Sequence, residues 1–150
     1  MGGKQQLTSV NIKETDVLNM LKKLQPEKSP GPDGIHPRVL KECAVELAGP
    51  LTSVFRTSLE EENVPQAWKE ADVTPIHKKG SKADVGNYRP ISLTSVCCKL
   101  MEKIIRHELL RHMIDNDFLS DCQHGFVQNR SCTTQLLKVL DKWSEILDQG

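Results

Sequence analysis

No stretch of this 150-residue chain is apolar over anything near the ~20 residues that a membrane-spanning helix requires. The start, Met1-Gly2-Gly3-Lys4-Gln5-Gln6, has no hydrophobic signal core and carries Gln where a myristoylation signal has Ser or Thr. The five cysteines (43, 97, 98, 122 and 132) are odd in number and have no framework spacing, so a disulfide scaffold is excluded. Reduced thiols in an intracellular protein, nuclear or cytoplasmic, are expected. The chain has no excess of either charge, 20 cations against 20 acids, so it is not a polycation as a whole. Aromatic residues make up 4% and hydrophobic residues 37%, a lean supply for a core. A chain of this length can still bury roughly 70% of its unfolded surface. Repeats and low-complexity tracts are also missing.

The balanced total hides a local imbalance. Between Ile76 and His112 stand eight Lys/Arg (78, 79, 82, 89, 99, 103, 106, 111) and three acids (84, 102, 108). That excess of positive charge is the one segment suited to a polyanion. Periodicity predicts a helix capped by Thr15 and stopped by Pro26, with Val17, Leu18, Leu21 and Leu24 on its apolar face. Pro37 starts a second helix that Gly49-Pro50 should break, and Leu51, Val54, Phe55 and Leu59 mark a third. Ala71 to Ile76, anchored by Val73 and Ile76, and residues 88 to 92 read as strands around a polar turn. From Leu93 the period becomes helical. Ser131 caps a last helix with Leu136, Leu137, Leu140, Trp143, Ile146 and Leu147 inward, and Trp68 and Trp143 read as core anchors. The expectation is a mostly helical α+β fold with one small antiparallel hairpin, preceded by a loose arm over residues 1–14.

Four segments have the composition of contact sites, and each also has a plain structural reading. Pro75-Ile76-His77-Lys78-Lys79-Gly80 puts two cations at a turn, and Arg89 follows on the return strand. Nucleotide transfer needs cations that neutralise and position a triphosphate, with arginine suited to bidentate contact and lysine to point charge. Exposed Lys-Lys-Gly turns are nonetheless commonplace. Lys28-Ser29-Pro30-Gly31-Pro32-Asp33-Gly34-Ile35 has the glycines of a phosphate cradle but not the P-loop pattern, and it equally suits a connector. Asp33, in a Pro-Asp-Gly turn, is expected to bond its own backbone rather than a metal. Gln123-His124-Gly125-Phe126 offers close backbone approach and a stacking face, or simply a core Phe. The helix over residues 93–112 could track phosphates or merely have a wet face. Cys122, His124 and Cys132 match no zinc spacing, and no metal site is expected.

Taken in order, these segments together with Asn87-Tyr88-Arg89-Pro90-Ile91-Ser92-Leu93-Thr94-Ser95 resemble the fingers region of reverse transcriptases of LINE-like, non-LTR retrotransposons, near the chicken-repeat and jockey-like clades. The resemblance runs from about residue 15 to the end. It implies a polymerase fingers-type subdomain over residues 15–150, with Arg89 and either Lys78 or Lys79 on the incoming deoxynucleotide triphosphate. Lys28, Gly31 and Gly34 would lie near template and primer. Gln123, Gly125 and Phe126 would lie near the templating base, where fingers meet palm. Relatives usually carry Arg directly after the Phe. Here Val127-Gln128-Asn129 precede Arg130, so one polyanion contact is displaced or lost. The implied parent activity is RNA-directed DNA polymerisation on an RNA template and a DNA primer, using two Mg²⁺ ions held by palm aspartates. Those aspartates, the palm and the thumb are expected to be missing here. The chain should then bind no cofactor and catalyse nothing alone. The alternatives are a residual nucleic-acid-binding module and a helical protein-interaction scaffold.

Overall fold

The computed structural model describes residues 6–120, 122–125, 127 and 129–148. It is mostly helical with one two-stranded antiparallel sheet, as the periodicity predicts. Contacts divide it into two units, Leu7–Leu109, and residues 1–6 with Leu110–Gly150.

In the first unit, helix α1 (Glu14–Lys22) begins one residue before the predicted cap. Lys13 is the cap residue and offers no side-chain bond, while Glu14 and Asp16 in the first turn and Lys22 in the last complement the helix dipole. The loose arm expected for residues 1–14 does not reach Ile12, which is 1% exposed. The Arg56 guanidinium donates two hydrogen bonds to the Ile12 carbonyl, from Nε at 3.0 Å and Nη2 at 2.7 Å.

Pro37 does occupy the first turn of a helix, α2 (Pro37–Glu42), whose N-terminal amide of Arg38 is capped by the His36 ring. The predicted break at Gly49-Pro50 is wrong. The chain turns at Cys43 instead, and α3 (Ala44–Glu60) runs through Pro50. A proline inside a helix costs about 3 kcal/mol. That is offset because continuity keeps Ala44, Ala48, Thr52, Phe55 and Ser58 buried on one face, and burying Phe55 alone contributes roughly 1.5–3 kcal/mol. The Thr52 hydroxyl donates to the Ala48 carbonyl at 2.7 Å, so this polar member of the face is satisfied. Trp68, at the end of a short 3₁₀ turn (Gln66–Trp68), meets the Phe55 ring edge-on at 5.7 Å between centroids, as a core anchor should.

Strands β1 (Ala71–His77) and β2 (Tyr88–Thr94) pair in register from Ala71 opposite Thr94 to His77 opposite Tyr88. Val73 and Ile76 are not apolar anchors, being 63% and 49% exposed. The ribbon has only two strands, and its side chains are largely exposed on both faces. Fully buried Ser95 then caps α4 (Val96–Asp115), its Oγ accepting the Cys98 amide at 3.3 Å. Val96, Cys97, Leu100, Met101 and Ile104 of α4 enter the same core as Val17, Leu21, Leu40 and Phe55. The buried stripe of α4 ends before Leu109, which is exposed.

In the second unit, α5 (Cys132–Asp148) has the cap foreseen at Ser131. The Ser131 Oγ accepts the Thr134 amide at 3.2 Å, and the Thr134 Oγ1 accepts the Ser131 amide at 2.8 Å, a reciprocal capping box. Its apolar side chains are not inward. Leu136, Leu137, Leu140, Trp143, Ile146 and Leu147 are all exposed, so Trp143 anchors no core here.

Candidate nucleic-acid and nucleotide interface

The hairpin loop is held by its own polar groups. The Lys78 amide donates to the Asn87 carbonyl at 2.7 Å and extends the ladder by one pair. The Asn87 side chain donates to the Ser81 carbonyl, Tyr88 Oη to the Lys82 carbonyl, and the Gly86 amide to Asp84. Gly80 has a left-handed φ of 83°, and a Cβ there would come within 2.8 Å of the Asn87 side-chain Nδ2. The His77 and Tyr88 rings meet edge-on at 5.3 Å across the strand ends. In the sequence Asn87 and Tyr88 stand only within the motif around Arg89, and Asp84 only as one of three acids among the cations. Their role is visible only once the loop closes.

This frame fixes where the cations lie. Arg89 stands opposite Ile76, and period-two alternation puts Lys78 on the same face, diagonal to Arg89. Diagonal neighbours in an antiparallel pair are roughly 7–8 Å apart, so two cations can reach one polyphosphate. Lys79 lies beyond the last bonded pair, in the bend that leads to Gly80. Lys78, Lys79 and Arg89 are all exposed, and among the described residues no carboxylate is paired with them.

The Pro/Gly loop is a packed connector. Gly31 is buried against the junction of β2 and α4, where an added Cβ would fall 2.6 Å from the Thr94 carbonyl atoms and 2.7 Å from the Ser95 nitrogen. Gly34 has a left-handed φ of 68° with open space around it. Asp33 bonds its own backbone as expected, with Oδ1 accepting the Ile35 amide at 3.2 Å. Its buried Oδ2 has no hydrogen-bond partner. Nearby Cys97 has its thiol pushed up to about 11, mainly by burial and then by the Asp33 carboxylate and Cys98. Lys28 is exposed at the loop entrance.

In the second unit, Gln123 Nε2 donates to the Gly125 carbonyl at 3.0 Å. The Arg130 guanidinium donates to the carbonyls of Gln123 (2.6 Å) and Ser120 (3.3 Å), so the displaced arginine organises this loop. Gly125 has neither a left-handed φ nor a crowded Cβ position. Phe126 lies outside the described residues. Among the described residues, no three His, Cys, Asp or Glu side chains converge as metal ligands, and no helix is long and apolar enough to cross a membrane.

Comparison with known proteins gives the class. The chain is similar to RNA-directed DNA polymerases. It is 33% identical over 126 residues, 83% of its length, to the probable RNA-directed DNA polymerase from transposon BS of Drosophila melanogaster. To the RNA-directed DNA polymerase from mobile element jockey of the same species it is 32% identical over 136 residues, 90% of its length. The Pol polyprotein from type-1 retrotransposable element R1 of Bradysia coprophila matches at 27% over 123 residues. More particularly, the chain belongs with the reverse transcriptases of jockey-like and other non-LTR retrotransposons. It spans 14% and 15% of the lengths of the BS and jockey proteins. No protein-family profile matches it.

Proposed function

We propose that this chain is the fingers portion of a non-LTR retrotransposon reverse transcriptase, residues 15–150, and that it contacts the incoming nucleotide and the template. The observation that supports this most is the placement of Lys78 and Arg89 on one face of a self-bonded hairpin with no paired carboxylate. Of the two fingertip lysines, alternation favours Lys78 as the partner of Arg89. Together they suit the two jobs of a triphosphate site, point-charge neutralisation and bidentate hold. Lys28, Gly31 and Gly34, and separately Gln123, Gly125 and Phe126, are the proposed template and primer neighbours. RNA template, DNA primer and deoxynucleotides are the partners of the whole polymerase.

Polymerisation also requires a carboxylate set for a Mg²⁺ pair. The described residues gather no such set, so the residues here do not fit that metal site and no catalytic step runs through them. The exposed apolar stripe of α5 suits a surface covered by other parts of the polymerase, such as palm or thumb.

The test is fluorescence anisotropy with a labelled deoxynucleotide triphosphate at low salt. The double variant Lys78→Ala/Arg89→Ala should weaken binding about tenfold or more, while Lys79→Ala has a smaller effect. Equal losses from Lys69→Ala, an exposed lysine outside the hairpin, would reduce the site to diffuse charge. Primer extension with RNA template and Mg²⁺ should stay at the level without protein.

A further inference from the structure

Within the first unit, away from the fingertip, a cleft of about 240 Å³ is lined by four lysines from three elements. Lys23 follows α1, Lys28 and Ser29 come from the Pro/Gly loop, and Lys99 and Lys103 lie one turn apart on α4. Its apolar wall is Leu24, Pro37, Val96 and Leu100, and no carboxylate lines it. Lys23 sits where a helix C-terminus favours a cation, but the others have no such excuse. Lys99 lies in the first turn of α4, where the helix dipole is itself positive. Its Nζ donates to the Thr94 carbonyl at 3.0 Å, which fixes one ammonium at the cleft wall. Gly31 is what brings the loop here, since only a residue without Cβ can lie against Thr94 and Ser95. Like charges gathered by packing, without a counter-charge, repel one another unless an anion enters.

We propose that this cleft seats the phosphodiester backbone of a polynucleotide strand, independently of its sequence. The volume lies below the ~300–1,000 Å³ of sites that enclose a drug-sized ligand, so it suits a phosphate group or two of a passing strand rather than a whole nucleotide. No aromatic ring lines it, so bases have nothing to stack on. Lysines without arginine supply adaptable point charges, as backbone tracking needs. That the strand is an RNA template rests on the function proposed above. The lysine cleft itself does not depend on the fingertip.

The experiment uses a fluorescein-labelled twelve-nucleotide uridine RNA and anisotropy between 50 and 200 mM salt. Lys23→Gln/Lys28→Gln/Lys103→Gln changes three exposed side chains and leaves Lys99, which holds Thr94. Single-strand affinity falls with salt at a slope of about 0.7 per phosphate contact, so the triple variant should bind at least tenfold more weakly at 50 mM and with a slope shallower by about 2. Replacing the same three residues by Arg should restore both. Lys78→Ala/Arg89→Ala, read separately with a triphosphate, should leave the RNA slope unchanged. An unchanged slope in the triple variant, or equal loss in the fingertip variant, overturns the cleft. Displacement of the RNA by inorganic phosphate beyond that by chloride of equal ionic strength would make it a small-anion site and overturn the strand assignment. Failure of triphosphate binding alone sinks the fingertip reading and leaves this one standing.

Discussion

Gly31 and Gly34 lie three residues apart in one loop and are glycine for different reasons. Gly34 needs its left-handed φ, whereas Gly31 needs the space that a Cβ would take from Thr94 and Ser95. Gly31→Ala must therefore push the loop off the β2–α4 junction. Overpacking of this kind costs about 1–3 kcal/mol, and the midpoint of urea unfolding should fall accordingly, with RNA affinity falling as Lys28 moves. A variant as stable as the parent would show that the loop can shift freely. The sequence left position 31 open between a contact site and a connector, because its packing partner lies far along the chain and only the fold reveals it. Cys97 offers a second test at this scale. Its thiol is raised from 9.0 to about 11, first by burial and then by Asp33 and Cys98. Below pH 9 both folded and unfolded states hold the proton. Between 9 and 11 the unfolded chain ionises while the folded one does not, so this group draws stability away as pH rises through that window. In the native protein, exposed Cys43, Cys122 and Cys132 should react with a thiol reagent at pH 8, and Cys97 only on unfolding. Native labelling of Cys97 at the rate of Cys43 would contradict its burial.

The elements show where local rules hold and where they are overridden. The hairpin, the Pro37 start and the Ser131 cap were legible because each is set by neighbours within a few residues. The break assigned to Gly49-Pro50 failed because it applied a local rule to α3, whose buried face from Ala44 to Ser58 outweighs one proline. The hairpin adds a device that no local pattern announces: Pro75 stands opposite Pro90. The Lys78–Asn87 pair is hydrogen-bonded, and bonded and non-bonded pairs alternate, so the two prolines occupy a non-bonded pair. At such a pair the amides face outward. Each proline thus removes a donor from one outer edge of the ribbon, which hinders a third strand from joining. This matters because Val73, Ile76 and Ile91 are exposed on the ribbon. Replacing both prolines by Thr should return a donor to each edge and increase thioflavin-positive aggregation. No increase would mean that the edges are guarded by other features, such as the cations at the tip.

At the scale of the whole molecule, the chain presents two kinds of surface with opposite responses to salt. One is basic, at the hairpin tip and the lysine cleft of the first unit. The other is the apolar stripe on α5 in the second, with six large side chains exposed, from Leu140 at 54% to Leu147 at 79%. That stripe was read from its period as inward-facing. The period was correct and the cover is not supplied by the described residues, because periodicity identifies an apolar face without saying what lies against it. Burying a fully exposed side chain of this size contributes roughly 1.5–3 kcal/mol; because these six are only 54% to 79% exposed, covering the stripe on two copies is worth on the order of 15 kcal/mol. Association costs about 4–15 kcal/mol before any ordering of side chains. The balance is near even, which predicts weak, concentration-dependent self-association at micromolar levels and above, not a tight dimer. Sedimentation velocity across a concentration series should show a rising weight-average mass. Leu140→Glu/Trp143→Glu, in the middle of the stripe, should abolish that rise without lowering the melting temperature. A monodisperse parent at high concentration would mean that the stripe is covered within one copy. Because the attraction is apolar it should persist at 200 mM salt, where RNA bound through lysines dissociates, so the two surfaces can be told apart in one titration.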